Sequence, residues 1–126
     1  MEFFAFANRE ADADWLQRTL TIGALPDWCE EIDTVLADHG DTGEIYCLWG
    51  QFRVNREPIR GGVRFTLPDC PNQLAWTVTT GFPPYPEQVT IHCTLARTEH
   101  EPDFVESTEA FVEAWRDGLE QASPSG

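Results

Sequence analysis

Arg53, Arg56, Arg60 and Arg64 fall within twelve positions of a 126-residue chain whose eight basic residues are all arginine. A guanidinium presents a planar fork of donors that matches a pair of carboxylate or phosphate oxygens, so this cluster is chemistry for anchoring an anion. The competing assignment is internal balance, with the same residues pairing Glu57 and acids on neighbouring helices. Cys29, Cys47, Cys70 and Cys93 are 18, 23 and 23 residues apart. They include no Cys-x-x-Cys pair, so neither a zinc ribbon nor a dithiol redox site is indicated. They read instead as small buried hydrophobes. His92 and Cys93 are adjacent on an alternating segment and point to opposite faces, which opposes a Cys–His nucleophile pair or a shared metal. His39 near Asp41 and His100 next to Glu101 lie at helix edges and read as end caps. No G-x-S-x-G, P-loop or G-x-G-x-x-G stretch occurs. The residues therefore predict no enzyme, no metal site and no cofactor.

The balance of 8 basic against 22 acidic residues gives a formal charge of −14. Such a chain repels phosphate backbones and anionic membrane surfaces, so neither nucleic acid nor membrane is expected as a partner. The acids concentrate in two stretches: seven from Asp27 to Glu44 with no Arg, and eight from Glu99 to Glu120 with one Arg. These are solvated faces by default and docking surfaces for a basic partner otherwise. A 41% hydrophobic and 12% aromatic content is enough for one cored domain and excludes intrinsic disorder. The start, Met1-Glu2-Phe3-Phe4-Ala5-Phe6-Ala7, lacks the positive charge and the apolar length of a secretory signal, and no apolar run approaches a membrane span. A cytoplasmic protein is expected.

The elements that position these residues follow from periodicity. Residues 2–7 read as a short strand or packed arm, and Asp12 as the cap of a helix carrying Trp15, Leu16 and Leu20. Trp28, Ile32, Val35 and Leu36 fall at i, i+4, i+7 and i+8, which predicts a helix opened by Pro26 and closed at His39-Gly40. Four strands are expected next. The first runs from Glu44 to Val54. The second follows Gly61-Gly62, with Val63, Phe65 and Leu67 inward. The third places Leu74, Trp76 and Val78 inward, and the fourth Val89, Ile91, Cys93 and Leu95. Thr66, Thr77, Thr79, Thr90 and Thr94 line the outer face. Phe104, Thr108, Phe111, Val112, Trp115 and Leu119 form the broad apolar stripe of a final helix, opened by Asp103 and Glu106. The fold expected is α+β: a four-stranded antiparallel meander sheet packed by an N-terminal helix and a long C-terminal helix. Residues 1–25 form an extension on a domain of 26–122, and 123–126 a disordered tail.

Three stretches carry a resemblance to a known family. They are Glu30-Glu31-Ile32 opening the helix ahead of the sheet, Gly61-Gly62-Val63-Arg64-Phe65, and Tyr85-Pro86 between the third and fourth strands. Over residues 26–122 this order resembles the RWD domain of the ubiquitin-conjugating-enzyme-like superfamily. The family's second proline after the Tyr-Pro corner is missing, with Val89 and Thr90 in that region. The His-Pro-Asn stretch and the catalytic cysteine of conjugating enzymes have no counterpart: Cys93 lies inside the fourth strand and only His100-Glu101-Pro102 follows. The resemblance therefore implies an RWD-like protein-interaction module without thioester chemistry.

Three function classes remain distinguishable. A non-catalytic protein-interaction module, monomeric or homodimeric, is the leading expectation, with Arg53, Arg56, Arg60, Arg64, Phe82 and Tyr85 as the binding residues. A helix-grip-like small-molecule binder, in which a curved sheet wraps a long C-terminal helix, predicts an apolar cavity of about 300 Å³ or more. An acidic inhibitor or nucleic-acid mimic predicts carboxylates spaced like phosphates.

Overall fold

Alternation from Val63 to Leu95 gives three strands one face made of Val, Phe, Leu, Trp, Ile and Cys side chains. Such a face needs a cover, because a sheet buries its apolar side only against another layer. In the computed structural model, which describes residues 1–96 and 101–121, a long helix supplies much of that cover. The elements in order are β1 (Glu2–Ala7), α1 (Ala13–Thr19), a 3-10 turn (Ile22–Ala24) and α2 (Leu25–Trp28). Six strands follow: β2 (Ile32–Asp38), β3 (Thr42–Cys47), β4 (Gly50–Ile59), β5 (Gly62–Thr66), β6 (Ala75–Thr80) and β7 (Val89–Thr94). α3 (Pro102–Gln121) ends the described chain.

The strands form one seven-stranded sheet in the order β1-β7-β6-β5-β4-β3-β2, antiparallel throughout. The expectation of a four-stranded sheet is thereby corrected, although the class remains α+β. β5, β6, β7 and α3 lie where periodicity placed them, and Asp12 caps α1 by accepting the Trp15 N–H at 2.7 Å. The expected helix over 26–39 is instead the short α2 followed by β2. Register shifts between Ile32 and Thr34 and between Val35 and Ala37 put Ile32 opposite Cys47 and Val35 opposite Ile45, both inward. The first bulge thus converts a period of two into a spacing of three between Ile32 and Val35, which imitates a helix. The expected strand from Glu44 to Val54 is a hairpin, β3 and β4, whose tip is Leu48-Trp49. That tip has no turn composition because Trp49 is a packing residue. Its ring lies 5.0 Å from Phe111 and 5.9 Å from Phe104, and its Nε1 donates to Ser107 Oγ at 2.9 Å. β1 is the sheet's other edge strand and buries Ala5 and Ala7. The expected tail at 123–126, Arg97 and His100 all lie outside the described residues.

The core is an aromatic layer between α3 and the sheet. Phe65 lies 5.2 Å from Trp76 and 6.2 Å from Trp115, and Trp76 meets Phe111 edge-on at 4.9 Å. Such pairs add about 0.5–1.5 kcal/mol each beyond the area they bury. The helices are tied together by Arg9, whose guanidinium lies 4.5 Å over Trp15 and 5.6 Å over Trp28 and donates to Leu119 O at 3.0 Å. A cation at the C-terminal end of α3 is favoured by the helix dipole. No helix among the described residues is long and apolar enough to cross a membrane.

α3 crosses α2 so closely that a Cβ at Gly118 would stand 1.9 Å from the Trp28 carbonyl oxygen. Backbone cannot yield there as a side chain would. Gly118→Ala is expected to destabilise the fold by about 1–3 kcal/mol, read as a lower midpoint in urea unfolding. An unchanged midpoint would mean that the helices separate without cost.

Candidate functional site

The four clustered arginines do not converge. β4 alternates, so Arg53 lies on the outer face and Arg56 on the inner face. Arg53 makes a two-pronged pair with Asp69, Nε to Oδ2 at 2.8 Å and Nη2 to Oδ1 at 2.9 Å. The bonded guanidinium holds the Asp69 carboxyl below the usual range. Arg64 is exposed on β5, opposite Glu57 on one side and Thr77 on the other. Arg60 is exposed beside the β4–β5 turn. Arg56 has an 11% exposed side chain. Its Nε donates to Leu20 O at 2.7 Å, its Nη2 donates to Gln17 O, and Nη1 lies 4.0 Å from Asp41. It serves the carbonyl end of α1, where a cation is favoured. Gln17 completes the joint by donating to Ile59 O and Gly62 O.

The polar clefts are shallow and lie at the surface. One of about 370 Å³ is lined by His39, Thr42, Glu44, Arg53 and Asn55, and another of about 210 Å³ by Arg64, Thr66 and Gln73 among others. No group of three or more His, Cys, Asp or Glu among the described residues could hold a metal ion. His92 and Cys93 do point to opposite faces, His92 outward and Cys93 fully buried. All four cysteines are buried and unpaired. Burial pushes the Cys29 and Cys93 thiols up to about 12, so neither is a nucleophile near neutral pH.

A different set of side chains is brought together on the outer edge of β1. Phe4 stacks on His92 with ring centroids 4.3 Å apart and planes 4° from parallel. Phe6 lies 6.4 Å from Phe4 and meets Tyr85 edge-on at 5.0 Å, while His92 Nε2 stands 2.9 Å from Glu2 Oε1. Phe4 is 52% exposed and Tyr85 45%. Of the two aromatics singled out from the sequence, Tyr85 joins this row. Phe82 does not; its ring packs on the β4–β5 turn, where only a glycine at 61 leaves room for it.

The backbone of β1 shares the exposure. Met1 and Leu95 exchange both hydrogen bonds, N to O at 3.1 Å and O to N at 2.9 Å. In an antiparallel ladder this pattern recurs at Phe3, Ala5 and Ala7. The N–H and C=O groups of Glu2, Phe4 and Phe6 therefore face away from β7, and no strand among the described residues pairs with them. Sequence reasoning missed Phe4, Phe6 and His92 as a surface. The readable signal was the inverted alternation of Phe4-Ala5-Phe6-Ala7, which puts methyl groups inside and rings outside.

No known protein family matches this sequence, and no curated protein does. Two solved structures share the fold. The protein XoxI from Bacillus cereus is 11% identical with a TM-score of 0.62, covering 96% of this chain and 92% of its own. An uncharacterised protein from Bacillus thuringiensis is 10% identical with a TM-score of 0.61, covering 94% and 97%.

The arginines separate by role, and that is measurable. Arg56→Ala leaves two helix-end carbonyls without their donor and is expected to cost about 2 kcal/mol of stability. Arg60→Ala is expected to stay within about 0.5 kcal/mol of the parent. Equal effects in chemical unfolding would contradict the assignment of Arg56 to the α1 joint.

Proposed function

We propose that the protein is a non-catalytic protein-binding module whose contact surface is the outer edge of β1, anchored by Phe4, Phe6 and Tyr85. The observation that carries this reading is the contrast between the two sheet edges. β2 is interrupted by two register shifts and carries Asp33 and Asp38, which are devices that blunt an edge. β1 keeps an unbroken register over its six residues, contains no proline, and has one charge, Glu2. Exposed aromatic side chains beside unpaired main-chain groups are the combination that strand-adding partners use. The arginine hairpin loses its place in this reading, because Arg56 is a structural clamp and Arg53 is already paired.

A second reading, a helix-grip binder of a small molecule, has support of its own. One strand, two helices, six strands and a long helix is the helix-grip order. The indole N–H groups of Trp76 and Trp115, buried between α3 and the sheet, have no hydrogen-bond partner among the described residues. Against it, the rings of Phe65, Trp76, Phe111 and Trp115 occupy that space in mutual contact.

Native mass spectrometry of the full chain isolated from its own host, beside a Phe4→Ser/Tyr85→Ser variant of equal thermal stability, separates the readings. The expected result is a stoichiometric protein partner on the parent that falls by about tenfold or more on the variant. A partner retained by the variant, or a bound small molecule in place of a protein, would overturn the assignment.

A further inference from the structure

We infer that the β1 edge takes an extended, basic segment of a partner protein, with apolar side chains alternating with Lys or Arg. The inference rests on the reading of β1 as the contact surface and adds the chemistry of what binds there. A strand laid against Glu2, Phe4 and Phe6 would satisfy their outward N–H and C=O groups, and its side chains would alternate between the two faces of the sheet. One set falls on the outer face beside Phe4, Phe6 and Tyr85, where apolar groups fit. The other set falls on the inner side, beside α3.

The charge on that side of α3 follows from the helix. Gly118 packs on α2 and Ser107 receives Trp49, so this side of α3 faces the β2–β4 half of the sheet. Glu120, on another side, accepts the Asn8 N–H at 2.9 Å just beyond β1. Glu109 and Glu113 share the Glu120 side by their spacing of 11 and 7 residues and are exposed. The cation on the same side, Arg116, is bonded to Asp117. Glu2 lies on the opposite, outer face, where it meets His92 Nε2 at 2.9 Å, so the acids on the inner side are those of α3. A second copy of this chain would bring the same acids and a −14 charge to the contact, whereas a basic segment complements them and is steered by them.

The test uses the uniformly ¹⁵N-labelled full chain at low salt. The probes are three capped octapeptides: alternating Lys-Val, the same residues in two blocks, and alternating Glu-Val. The alternating Lys-Val peptide is expected to bind saturably and to slow amide exchange at Phe4 and Phe6 by about tenfold or more. The blocked and acidic peptides are expected not to do so. Glu109→Lys/Glu113→Lys, which changes only exposed helix positions, is expected to weaken the binding by about tenfold. No binding of the alternating peptide, equal binding of the blocked one, or binding that leaves exchange at Phe4 and Phe6 unchanged would overturn the inference. Those outcomes would leave the module reading to the partner experiment, where loss on the Phe4/Tyr85 variant is decided separately.

Discussion

The contact of the α3 aromatic stripe with the inner face of the sheet is the constraint from which the rest of the molecule follows. Phe111 and Trp115 on the helix meet Phe65 and Trp76 on the strands, and all four rings are at most 1% exposed. A sheet of seven strands with an apolar inner face has no independent stability without such a layer. The helix must therefore be held at its sides and ends. Trp49 reaches it from the β3–β4 tip, the α2 backbone abuts Gly118, and Arg9 bonds its last turn. Each attachment comes from a different stretch of chain, so the N-terminal strand and helices belong to the same packing problem as the sheet.

This arrangement also decides which surfaces are left over. The inner face is taken, and the outer face is largely a polar field of threonines with Arg64 and Arg53 among carboxylates, with Tyr46 of β3 as an exposed aromatic within it. The arginine cluster, so conspicuous as a run of residues, is divided by the pleat of β4 and β5 into a largely buried clamp, Arg56, a surface pair, Arg53 with Asp69, and two exposed cations, Arg60 and Arg64. What remains is an asymmetry between edges. β2 is bulged and acidic, whereas β1 is straight, aromatic on its outer side and lined with small residues within. Small residues at Ala5 and Ala7 suit the close passage of α3 over this strand, so that Phe3 alone keeps its ring against the core while those of Phe4 and Phe6 stand outside. A feature required by packing thus produces an aromatic row, exposed at Tyr85 and Phe4 and half-buried at Phe6 and His92, beside a free main-chain ladder.

Much of the second half of the chain was legible in the sequence, because β5, β6, β7 and α3 each keep one period over their full length. The first half was legible only in part, for local reasons. In β2, the bulge between Ile32 and Thr34 gave Ile32 and Val35 a helical spacing. At the β3–β4 tip, Leu48 and Trp49 carry no turn chemistry, since Trp49 is recruited to the core. Short α2 ends after Trp28, although Pro26 and the acids around it are those of a longer helix. The aromatic row on β1 was half legible. Tyr85 was marked by its proline-rich corner, but residues 2–7 read only as a short strand or packed arm, which left the side on which Phe4 and Phe6 stand unassigned. The arginines misled for a related reason: nearness in sequence on a strand places neighbours on opposite faces.

The account stands on the claim that the outer ladder of β1 is open. Residue-resolved amide hydrogen exchange of the free protein tests it directly, because the two sets of amides alternate along one strand. The N–H groups of Phe3, Ala5 and Ala7 are bonded to β7 and are predicted to exchange slowly. Those of Phe4 and Phe6 are predicted to exchange about a hundredfold faster or more, as unpaired strand-edge amides do. Uniform protection along β1 would show that another part of the chain or a second copy already covers that edge, and would contradict the account.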